Sequence, residues 1–124
     1  MFFEKRKNLI KLLNLKLDEI ESWNRKTFKN ATLAGQLAKL EEEFREYQNE
    51  YSDTDTERLE LADVFIVIGG LRRFNSLIGK AIYETYIENA KTKDIEILID
   101  NIDSKMKINN ARKWHKTDKG NYHH

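Results

Sequence analysis

The run Leu61-Ala62-Asp63-Val64-Phe65-Ile66-Val67-Ile68-Gly69-Gly70-Leu71 is the most apolar stretch of the chain, and it decides where its segment lies. Its apolar residues surround a helix on every side, so a helix here belongs at the centre of a bundle. By composition, Val64 to Ile68 also suits a buried strand. Upstream, however, Thr54 with Glu57 three residues later forms a capping-box pattern that starts a helix near Asp55, and the pattern continues to about Phe74. Gly69-Gly70 then marks a kink or a point of close helix approach. Glu60 and Asp63 stand at the entrance of this run. A buried carboxylate must shift its pKa, find a cation or bind a metal.

The rest of the chain is read around that helix. Apolar residues Phe2, Leu9, Leu13, Leu17 and Ile20 give an amphipathic helix from about Phe2 to Glu21. Its polar face carries Lys5, Arg6, Lys7, Lys11 and Lys16, which suits either a membrane surface or packing on its own domain or a second subunit. Ser22 to Thr32 reads as a connection. Asn30 or Thr32 caps a helix from Leu33 to Glu50 with the stripe Leu33, Leu37, Leu40, Phe44 and Tyr47. Asn75 or Ser76 caps a helix to about Ala90. Thr92 caps a last one bearing Ile95, Leu98, Ile99, Ile102 and Met106. Proline is absent and 35% of residues are charged, as in a mostly helical domain. The expectation is an all-α antiparallel bundle of about four to five helices. It divides into an N-terminal amphipathic helix (1–22), a helical domain (23–114) and a flexible polar tail (115–124).

Charge and cysteine content narrow the function. The 22 basic and 21 acidic residues leave a formal +1, which argues against a polyanion-coating surface and, with no docking motif, against nucleic-acid binding. Without cysteine there are no disulfides or thiolate ligands, so any metal is held by oxygen or imidazole. No apolar stretch is long enough for a signal-peptide core or a membrane span, so a cytoplasmic protein is expected. His123 and His124, in the tail, are not read as metal ligands.

At 100° per residue, Glu43 and Glu46 lie together on one flank of the stripe of their helix, beside Lys39. Glu42 points nearly away from the core. Glu60 and Asp63 share a face with Val67 and Gly70. A short turn makes the two helices antiparallel neighbours, and centring it on Asp53 sets Glu46 level with Glu60 and Glu43 level with Asp63. Four carboxylates thus meet on two levels roughly 4.5 Å apart. Such acids can also form a solvated face, but at matched levels their mutual repulsion calls for a cation, for which Mg²⁺ or Mn²⁺ is the natural choice. On the last helix, Lys105, Asn109 and Arg112 form a polar stripe that suits phosphate oxygens or, equally, a basic helix C-terminus.

These residues resemble a known family. Glu42-Glu43-Phe44-Arg45-Glu46 followed by Glu60-Leu61-Ala62-Asp63 looks like the E-x-x-E…E-x-x-D signature of MazG-like nucleotide pyrophosphohydrolases, in the all-α NTP pyrophosphatase superfamily. Lys105-Met106-x-x-Asn109-x-x-Arg112-x-Trp114 is similar to that family's C-terminal pattern, and the resemblance spans about Trp23 to Trp114. It implies Mg²⁺-dependent hydrolysis of a nucleoside triphosphate, with or without the 2′-hydroxyl, to the monophosphate and pyrophosphate, in a homodimer or homotetramer. Carried over, Glu43, Glu46, Glu60 and Asp63 are the metal ligands, with Glu43 or Glu46 as catalytic base. Glu42 is auxiliary, beside Lys39. Lys105, Asn109 and Arg112 meet phosphate or nucleotide. Trp23, Phe28 and Trp114 can stack on the base or belong to the core or an interface. Where family members commonly have a small residue within E-E-x-x-E, this chain has Phe44-Arg45. The competing expectation is a non-catalytic helical interaction module that keeps the fold and binds a protein partner.

Overall fold

A computed structural model of the chain describes residues 2–50, 54–112, 114–116 and 122–123. Helix α3 (Thr54–Leu71) is its axis. Packed on it are α1 (Phe2–Thr27), α2 (Leu33–Asn49), α4 (Leu77–Asn89) and α5 (Thr92–Ala111). The all-α expectation therefore holds, with five α-helices among the described residues. The predicted turn centre at Asp53 lies outside the described residues.

The apolar circumference of α3 explains this arrangement. Val64, Phe65, Ile68 and Leu71 are buried against Leu13, Leu17 and Ile20 of α1, Leu40 of α2, and Ile95, Leu98, Ile99 and Ile102 of α5. Such burial stabilises by about 25 cal/mol for each Å² of apolar surface removed from water. Gly69-Gly70 is a point of close approach. A side-chain carbon on Gly69 would lie 2.7 Å from Ile20 Cγ2, and one on Gly70 would lie 2.4 Å from Asn24 Nδ2.

Local chemistry sets the helix ends. Thr32 caps α2 by accepting from the Gly35 N–H at 3.0 Å, and Ser76 caps α4 by accepting from the Gly79 N–H at 3.2 Å. Between α3 and α4 a 3₁₀ turn (Arg72–Phe74) ends on Asn75 in the left-handed region, at φ 53°. Arg6 of α1 donates to the Ala90 carbonyl at 2.6 Å and to the Ile87 carbonyl, satisfying acceptors at the end of α4.

Three expectations are corrected. First, α1 runs to Thr27 instead of ending near Glu21, because its inward face continues beyond Ile20 with buried Asn24 and an Arg25–Glu21 pair braces the last turn. Second, Lys91 and not Thr92 is the N-cap of α5: the Lys91 N–H is taken by the Asp94 carboxylate at 3.2 Å, which draws Thr92 into the helix as a buried residue. Third, the inward face of α2 is rotated from the expected stripe. Gln36 and Glu43 are buried with Leu40, while Leu33 is exposed. Past α5, His115–Lys116 pairs antiparallel with Tyr122–His123. No helix among the described residues is long and apolar enough to cross a membrane.

Candidate functional site

The antiparallel contact of α2 and α3 brings the predicted acids together. Glu43, Glu60 and Asp63 each offer a carboxylate oxygen, and the three oxygens lie within 4.8 Å of one another. Glu46, expected as an equal fourth member, is instead exposed, one helical step round from Glu43. It stands at the rim of the cleft, and its charge adds to the forces that raise the pKa of Glu60.

Burial dominates the electrostatics. Glu43 is 7% exposed. Desolvation pushes its pKa up from 4.5 to about 7; Lys39, 3.2 Å away, opposes this, and the charges of Asp63 and Glu46 add to it. The pKa of Asp63 is also raised. Burial outweighs the Lys105 ammonium, although that sits 3.0 Å from Asp63 Oδ2. Burial, then the Asp63 and Glu46 charges, raises the pKa of Glu60. Two buried oxygens, Glu43 Oε2 and Glu60 Oε2, have no hydrogen-bond partner among the described residues. Buried carboxylate oxygens are normally satisfied. Two unsatisfied ones in the same cluster of hard ligands fit a divalent cation.

Around this cluster opens a cleft of about 300 Å³ lined by Glu42, Glu43, Glu46 and Asp63. Lys39 and Lys105 also line it, and here both neutralise acids. Lys39 bridges Glu43 and Glu42, the latter at 3.8 Å, while Lys105 holds Asp63 instead of facing open space. Asn109 is buried on the same wall and accepts from Arg112 at 3.4 Å. Arg112 is not on the helical stripe proposed for it: α5 ends at Ala111 and Arg112 has extended backbone, but its side chain still reaches the cleft. The Trp114 indole N–H donates to the Asn109 carbonyl at 3.2 Å, and Trp114 lines the same cleft.

At the far end Trp23, Phe28 and Trp114 form an edge-on aromatic wall, with centroid separations of 5.2 Å (Trp23–Phe28), 5.0 Å (Phe28–Trp114) and 6.2 Å (Trp23–Trp114). Except for Glu60, which joins through the acidic cluster, every predicted site residue lines this one cleft. Sequence reading missed Asn24 and Gln36, which also line it. A signal for Gln36 was present, since it lies two turns before Glu43 on the same face of α2. Asn24 was hidden in a segment read as a connection. A larger cavity of about 510 Å³, beside α3 and α4, gathers no group of carboxylates.

No family model matches the chain, and no curated protein or solved structure matches it.

Proposed function

We propose that the protein hydrolyses a nucleoside triphosphate, ribo or deoxy, to the monophosphate and pyrophosphate with Mg²⁺, or Mn²⁺ in its place, as the MazG-like resemblance implies. One observation carries this reading: a single cleft joins a carboxylate cluster with unsatisfied buried oxygens to a cationic and amide wall and an aromatic end. Glu43, Glu60 and Asp63 are the residues to hold the ion, with Glu46 at the rim. When bound, the ion neutralises polyphosphate charge. Glu43, buried among the other acids, is the residue to accept a proton from water, and Glu46 is the alternative base. Lys105, Asn109 and Arg112 offer donors to phosphate oxygens. Trp23 and Trp114 flank the base, and Glu42 with Lys39 tunes the charge of Glu43.

The test incubates the protein with a panel of ribo- and deoxyribonucleoside triphosphates and Mg²⁺, and measures pyrophosphate against orthophosphate. Pyrophosphate release that falls at least about a hundredfold in Glu43→Gln and Asp63→Asn is expected. No release from any substrate at high enzyme concentration overturns the proposal.

The proposed enzyme is a cytoplasmic homodimer or homotetramer. Exposed Leu77 and Ile78 on α4 support self-association. The same residues support the second reading, a helical module that binds a protein partner, which an inactive protein with an intact cleft would favour.

A further inference from the structure

Behind the aromatic wall lies a chain of hydrogen bonds in which one member can only donate. Arg73 Nη1 donates to Asn24 Oδ1 at 2.8 Å, and also to the carbonyls of Asn24 (3.3 Å) and Phe28 (3.0 Å). A guanidinium has no acceptor, so the atom that Asn24 turns toward Arg73 must be its oxygen. The other end of that amide is then an NH₂ group, and it meets Gln36 Oε1 at 3.2 Å. The atom Gln36 has left over is therefore Nε2, a donor. This polarity follows from the chemistry of arginine, not from telling nitrogen from oxygen by position.

The placement of the chain gives that donor a use. Asn24 and Gln36 are 3% and 4% exposed, yet both line the cleft. Gln36 Nε2 donates to no acceptor among the described residues, and Gln36 lines the cleft. Asn24 adjoins Trp23 in sequence and lies one helical turn before Phe28, so the amide pair sits at the aromatic end. Gln36 precedes Glu43 by two turns, which separates the donor from the acidic cluster by about 10 Å along α2. Gly70 allows the pair its position, since any side-chain carbon there would strike Asn24 and come within 3.1 Å of Gln36 Oε1.

We infer that Gln36, oriented through Asn24 by Arg73, is a specificity-determining residue that selects a nucleobase presenting a carbonyl at that edge. The class is the keto bases: uracil, thymine, guanine and hypoxanthine. This rests on the nucleotide reading of the cleft. A base with an amino group there sets donor against donor and leaves both unpaired in a buried site. A ring carbonyl accepts from Gln36 Nε2 directly.

The test uses nucleosides as well as triphosphates, so that recognition is read apart from hydrolysis. Quenching of Trp23 and Trp114 fluorescence gives affinities for inosine against adenosine and for uridine against cytidine. Pyrophosphate release gives kcat/KM for the matching triphosphates. The wild-type chain is expected to favour the keto partner of each pair at least about tenfold.

Asn24→Asp supplies the decisive variant. The introduced carboxylate accepts from Arg73 and from Gln36, so the Gln36 amide turns over and offers its oxygen to the cleft. Preference should then swing toward adenosine and cytidine, a reversal that simple loss of packing does not produce. Circular dichroism confirms folding, and Gln36→Glu, which also presents an acceptor, should move the preference the same way. Keto-selective quenching without hydrolysis supports the inference while removing the pyrophosphohydrolase reading. Hydrolysis without base preference, no nucleoside binding, or a preference unchanged in Asn24→Asp overturns the inference.

Discussion

Glu43 is the residue on which the chemistry and the stability of the site meet. Its folded pKa, about 7, lies above the ordinary 4.5, because burial penalises the charged form more than Lys39 relieves it. A carboxyl raised in this way contributes stability that is complete below the unfolded value and is lost as pH climbs through the folded one. Without divalent ions, the melting temperature is therefore expected to fall by several degrees as pH rises from about 4.5 to about 7. Mg²⁺ should restore it at pH 8, and Glu43→Gln should flatten the profile. A melting temperature that climbs across that window, or ignores Mg²⁺, contradicts this account. Much at this scale was legible in the sequence. Level-matching of antiparallel neighbours anticipates that Glu43, Glu60 and Asp63 meet, as their oxygens do, because antiparallel helices leave little freedom of register. The rim position of Glu46 and the Lys105–Asp63 pair were not legible, since they depend on side-chain reach.

At the scale of elements, α3 works because two neighbours can come close to it. Gly70 faces Asn24 of α1 and Gln36 of α2. Gly70→Ala is expected to cost about 1–3 kcal/mol, measured by urea denaturation. Gly79→Ala, whose added carbon meets nothing nearer than Leu71 Cβ at 3.5 Å, should be neutral or slightly stabilising. Equal effects at the two glycines would show that close approach is not what Gly70 provides. Helix positions were readable from spacing and caps, as Thr32 and Ser76 show. The end of α1 was not, because Asn24 is polar yet faces inward, and a hydrophobic period stops at a buried amide that the helix does not. For the same reason the inward turn of Gln36 on α2 escaped the pattern.

The whole molecule assembles one cleft from all of its helices but α4. That leaves α4 with exposed Leu77 and Ile78, which are 80% and 54% accessible. Light scattering is expected to give a dimer or tetramer, and Leu77→Asp with Ile78→Asp should shift it toward monomer with the fold retained. A monomer in the unaltered chain at high concentration would remove that expectation. Arg73 matters at this scale as well. It does not line the cleft, yet through two neutral amides its inability to accept reaches the ligand. Recognition is thus governed from behind the wall, like a lock whose setting is changed from the back of the door. A lineage could exchange one class of base for another while every side chain that touches the nucleotide stayed the same.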